Sequence, residues 1–155
     1  MRTKVTRPLL LGLLVATSAL TLSAQAPTSG GRADPISKSP YDVWTADQLV
    51  KPGNLANFGN YAVSVQRRAV GAAPEIHDDF SHILMFTSGE GTFVTGGEIV
   101  TGPDGKKMIR GGDRHPIKMG EVHHVAINVP HLVIPNPGTT VTYFVANIFV
   151  EKKPL

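Results

Sequence analysis

The sequence has 155 residues, no cysteine, and 15 Lys and Arg against 12 Asp and Glu. That length excludes two full domains, and the missing cysteines exclude disulfides as a source of stability. Three of the basic residues, Arg2, Lys4 and Arg7, fall at the extreme N-terminus, so beyond it 15 − 3 = 12 basic residues meet 12 acidic ones, which leaves no electrostatic footprint for a nucleic-acid partner.

Residues 1–26, MRTKVTRPLLLGLLVATSALTLSAQA, put this basic start before an apolar run from Leu9 and small residues at Ala24 and Ala26. The pattern predicts a secretory signal peptide cleaved after Ala26 and hence a periplasmic or secreted protein. The apolar run is shorter than the roughly 20 residues of a spanning helix, so no stable membrane anchor is expected after cleavage. Residues 27–40, PTSGGRADPISKSP, read as a flexible leader, and residues 41–155 as a single domain.

The domain opens with YDVWTADQLVKPG, where Thr45 and Gln48 have the spacing of a capping box and Pro52-Gly53 stops any element: a short helix, with Trp44 and Leu49 covering one end of the core. From Asn60 the pattern turns to period two. NYAVSVQRRAV predicts a half-buried strand with Tyr61, Val63 and Val65 on one face and Ala62, Ser64 and Gln66 on the other. HILMF predicts a strand buried on both faces, TSGEG a tight hairpin, TFVTGGEIV a further strand and Pro103-Asp104-Gly105 a turn. MIRGGDRHPIKMG, GEVHHVAI and TTVTYFVANIFV supply more β runs, so the fold class is all-β, a small sandwich or barrel with one short helix.

The chemistry concentrates in PEIHDDFSHILMFTSGEGTFVTGG, residues 74–97. Glu75 and His77 are two apart in an extended segment and so share a face, and His82 can return toward that face from the next strand. His131, at the start of a later β run, is the best placed of the remaining histidines to complete a cage of three imidazoles and one carboxylate. Asp78 and Asp79 read as turn residues that can also orient His77 or His82. His123 and His124 are adjacent, so one faces the interior and the other faces away; one of the two is expected to act as a base beside the substrate, and periodicity does not say which. His115 reads as a loop or rim residue.

Residues 75–89 resemble the first motif of the cupin superfamily, G-x5-H-x-H-x3,4-E-x6-G, and GEVHHVAINVPH, residues 120–131, resembles the second, G-x5-P-x-G-x2-H-x3-N. Gly89 matches the closing glycine of the first, while Glu75, His77 and His82 stand at its two His positions and its Glu position in permuted order. In the second, Gly120 and His131 match, Asn128 stands where Gly is usual, a mild change because Asn tolerates the left-handed region, and Pro135 stands where Asn is usual.

The resemblance implies a double-stranded β-helix, jelly-roll-like, holding a divalent ion (Mn, Fe, Ni, Co, Cu or Zn) on Glu75, His77, His82 and His131. It further implies a small-molecule ligand or substrate, a homodimer, and dioxygenase, isomerase or lyase chemistry. The rival expectation is a non-catalytic cupin that binds a small ligand or a metal.

Overall fold

The computed structural model describes residues 35–150. The expected signal peptide, residues 1–26, and the expected leader as far as residue 34 lie outside the described residues. Within the rest of the leader, Ile36 forms a parallel bridge with Asn57, and the Ser37 N–H donates to the Asn57 carbonyl at 2.6 Å.

The one helix among the described residues is the single turn α1 (Ala46–Leu49). It starts at Thr45, whose backbone N–H donates to Gln48 Oε1 at 2.9 Å, as the capping-box spacing predicts. Ten strands follow: β1 (Gly53–Asn57), β2 (Tyr61–Ala69), β3 (Phe80–Ser88), β4 (Gly91–Thr95), β5 (Glu98–Thr101), β6 (Lys107–Arg110), β7 (Asp113–Pro116), β8 (Val122–Val125), β9 (His131–Pro135) and β10 (Thr140–Phe149). They form a five-stranded sheet in the order β1-β2-β10-β3-β8, a three-stranded sheet in the order β7-β4-β9, and the β5-β6 pair. All of these pairings are antiparallel. The sheets do not close into a hydrogen-bonded barrel; their inner faces meet in one core of Leu84, Phe86, Phe93, Val133, Tyr143 and Val145 with their neighbours.

Three expectations change against this topology. TSGEG is not a hairpin, because β3 pairs with β10 and β8 whereas β4 pairs with β7 and β9: the segment is a corner that carries the chain from one sheet to the other. TFVTGGEIV is broken at Gly96-Gly97 into β4 and β5, and the returning chain is broken opposite at Gly111-Gly112, so two hairpin arms bend together. Backbone crowding explains the residue type there, since a Cβ on Gly97 would lie 2.6 Å from the Arg110 carbonyl oxygen and one on Gly112 would lie 2.8 Å from that of Thr95.

HILMF is the third. It is buried on one face only, with His82, Leu84 and Phe86 turned inward and Ile83 38% exposed.

In β2 both faces are buried over its first half, and Gln66 and Arg68, on the face of Ala62 and Ser64, turn toward the interior. The other face is covered by the segment around α1. Trp44 packs on Phe144 at 6.2 Å between ring centroids, the Leu49 carbonyl accepts from Thr87 Oγ1, and the Val50 carbonyl accepts from Arg67. Val65, paired in register with Phe144, is 1% exposed as a result.

At the corner, Gly89 has φ +93°, and a Cβ there would lie 2.2 Å from the Thr140 carbonyl oxygen. Gly89→Ala is therefore expected to cost roughly 2–4 kcal/mol in urea unfolding, through strain and forced separation of β3 from β10. Gly71→Ala, also at positive φ but in open space, is expected to cost about 1 kcal/mol; equal losses for the two would contradict the crowding argument.

Candidate metal centre

The segment before β3 is extended through Glu75 and His77, with both half-buried and Ile76 between them 49% exposed, so the two side chains share the inner face as their spacing predicts. Glu75 is held by a backbone bridge to His131: each N–H donates to the other residue's carbonyl at 2.9 Å. Asn128, at φ 61°, donates its N–H to the His77 carbonyl at 2.7 Å, which ties the second motif to the first. His82 lies on the inner face of β3, in register with Asn147 of β10.

The structure thus brings all four expected donors together. One ligand atom from each of Glu75, His77, His82 and His131 lies within 4.8 Å of the others. Donors about 2.0–2.2 Å from one ion can be up to about 4.4 Å apart, so the widest pair needs to close by only about half an ångström. The three imidazole centroids are 4.9, 5.0 and 5.4 Å apart, and His131 Nε2 is 3.7 Å from Glu75 Oε2.

The hydrogen bonds at the rear of the rings aim their lone pairs inward. His82 Nδ1 lies 2.7 Å from Asn147 Oδ1 and His131 Nδ1 lies 3.0 Å from the Val129 carbonyl, so each Nδ1 carries the proton and each Nε2 is left as a free acceptor. His77 Nε2 is buried without a hydrogen-bond partner among the described residues. A buried imidazole nitrogen with no partner costs free energy unless something occupies its lone pair, and a cation is the occupant this donor set fits.

Electrostatics agree. Burial lowers the pKa of all three rings: His82 falls to about 3 through desolvation and then its neighbours His131 and His77, while His77 and His131 are lowered chiefly by desolvation. All three are neutral at pH 7, the form that binds a metal.

Two residues that the sequence did not single out for the site complete it. Arg68, inward on β2, pairs its Nη2 with Glu75 Oε1, leaving Oε2 directed at His131. Asn147, inward on β10, sets the His82 tautomer. Alternation in β2 groups Arg68 with Ser64 and Gln66 on the polar face, which in the sequence gives no sign that it turns inward.

Beside the donors lies a cavity of about 380 Å³, walled by Leu84, Phe93, Leu132, Val133 and Val145 with Gln66, Arg68, Asp79 and Tyr143 as its polar side. Burial pushes the Tyr143 phenol pKa up, so it is a hydrogen-bond donor rather than a base.

The two adjacent histidines separate as alternation requires. His124 is exposed, and His123 turns inward with Val125. Neither lines the cavity beside the donors. The His123 ring packs 5.4 Å from both Phe86 and Phe93, and Phe93, fully buried, also contacts His131 at 6.4 Å. Phe93 therefore stands between His123 and the donor group. His115 is exposed on β7, 6.4 Å from the His123 ring.

No family model matches the sequence, and no curated protein matches it significantly. Solved structures do match. An uncharacterized protein with a double-stranded β-helix domain from Klebsiella pneumoniae is 13% identical, with 72% of this chain and 92% of that one covered and a TM-score of 0.52. A cupin protein from Bacteroides fragilis is 12% identical, with 76% and 91% covered and a TM-score of 0.47. The vicilin of hazelnut, Corylus avellana, is 18% identical over 57% of this chain, with a TM-score of 0.44, and the chain spans 24% of that protein's length. At such identities the likeness concerns the fold.

Proposed function

From a fold that is the double-stranded β-helix of the cupin superfamily, we propose that this chain is an exported metal-binding protein whose centre acts on a small oxygenated molecule, in dioxygenase, isomerase or lyase chemistry. The observation that carries the reading is the cavity of about 380 Å³ opening onto four converging donors, one of them the unpartnered His77 Nε2. Export rests on residues 1–26 alone.

Glu75, His77, His82 and His131 would hold the ion, which supplies Lewis-acid polarisation of a carbonyl or hydroxyl, a more acidic water, or, with a redox metal, dioxygen activation. The remaining roles belong to the chain. Asn147 and the Val129 carbonyl keep the lone pairs of His82 and His131 facing inward. Arg68 restricts Glu75 to one free oxygen. Leu84, Phe93 and Val145 keep water from the inner wall, and Tyr143 offers a hydroxyl proton to an oxygenated ligand.

Elemental analysis of the mature protein, purified without added metal, is expected to find about one equivalent of a divalent ion per chain. Substoichiometric traces that dialysis removes would overturn the reading. An ion with no position exchangeable by small ligands would instead favour the non-catalytic binder.

A further inference from the structure

Two buried imidazole nitrogens lack a hydrogen-bond partner among the described residues: His77 Nε2, which belongs to the donor group, and His123 Nε2, which that group does not explain. The surroundings of His123 Nε2 repeat the first site in small. Glu121 and His123 are two apart where the chain enters β8, the spacing of Glu75 and His77, so their side chains lie on one side of the strand. Glu121 Oε2 is 3.8 Å from His123 Nε2, too long for a hydrogen bond and within the roughly 4.4 Å that two donors on one ion can span. Lys118 Nζ takes the other oxygen, Oε1, at 3.3 Å, as Arg68 takes one oxygen of Glu75.

A third donor stands on the opposite sheet. His115 is in register with Phe93 and so shares its inner face, at the edge of the sheet, and its ring lies 6.4 Å from that of His123. β8 is an edge of the five-stranded sheet and β7 an edge of the three-stranded one, and no strand pairing joins the two, so the histidines meet across an open seam. The His115 and Glu121 side chains are exposed there, free to draw in on His123 without disturbing the core.

We propose that Glu121, His123 and His115 form a second divalent-cation site, for Zn(II) or Cu(II), that pins the seam between the two sheets. Two imidazoles and a carboxylate suit ions of that borderline class, and in a chain without cysteine the ion supplies a cross-link that no disulfide can. The site stands apart from the first, because Phe93 lies between His123 and His131, packed on both rings. Having only three protein donors, two of which must be ordered on loading, it binds more weakly than the four-donor centre.

Zinc titration of the chelator-treated protein against a chromophoric competitor, with thermal melts at each stage, tests this. Wild type is expected to take up two equivalents, the second weaker and accompanied by a further rise in Tm. His115→Gln and Glu121→Gln, both at exposed positions, should keep the first equivalent, lose that further rise, and weaken the second by more than the roughly 10- to 100-fold that an outer partner costs. His131→Ala should do the reverse and keep the seam site. A single wild-type equivalent, lost in His131→Ala and kept in His115→Gln, overturns the proposal and leaves the first centre intact. A second equivalent undiminished in both seam variants sits elsewhere and overturns it too. One equivalent lost in both seam variants yet kept in His131→Ala would uphold the seam site and remove the metal-centre reading.

Discussion

His131→Ala should weaken divalent-metal binding by well over the 10- to 100-fold typical of losing an outer partner, because it removes a donor from the cage rather than a support behind one. It also removes the ring that lies between His77, His82 and Phe93, so some loss of stability is expected in the metal-free protein as well. The two effects separate in thermal melts with and without chelator. Wild type should be stabilised by metal in proportion to the logarithm of its excess over Kd, about 2.7 kcal/mol at a hundredfold excess, and the variant should show almost none of that increment. A variant whose melting temperature responds to metal as wild type does would show that His131 is not a ligand.

Acid should undo the site next. The three donor histidines have folded pKa values below their unfolded value of about 6.5, so it is the unfolded chain that takes up protons first as pH falls. Their contribution is therefore complete above pH 6.5 and is lost as pH drops from there toward the folded values, about 3 for His82. At about 1.4 kcal/mol per unit, His82 alone accounts for roughly 2–3 kcal/mol between pH 6.5 and 4.5, with His77 and His131 acting in the same direction. Urea unfolding of the chelated protein at the two pH values measures the loss, and His82→Gln should flatten it. Stability that is level or rising toward pH 4.5 would contradict the buried, neutral state of these rings. Metal affinity should fall over the same range, since protons compete for the same lone pairs.

The donor set was legible in the sequence because it depends on local rules. A spacing of two in an extended segment fixes a shared face for Glu75 and His77, and the glycine at position 89 and histidine at position 131 fall at motif positions. What failed was non-local. Turn residues in TSGEG announce a reversal of direction, but no residue there says which strand comes next, and the chain in fact crosses to the other sheet. Period two groups Tyr61, Val63 and Val65 on one face of β2 but does not say what covers it, and the cover is a single helical turn lying earlier in the chain.

Arg68 and Asn147 were invisible for a related reason. A surface arginine and a strand asparagine carry no mark of function until the fold sets them 7 and 65 residues from their partners, against Glu75 and His82. His123 shows the limit of parity. Alternation separates it from His124 without saying which of the two turns inward, and inward at that height of the sheet means behind Phe93 and away from the donors.

The reciprocal backbone bridge between Glu75 and His131 bears on how the centre would choose its ion. Two of the four donors are clasped at their main chains by the fold itself, so loading does not have to recruit a wandering segment or reshape a sheet. Such a cage selects its guest by donor type and coordination preference, with only the side chains drawing in by the last half ångström around the ion.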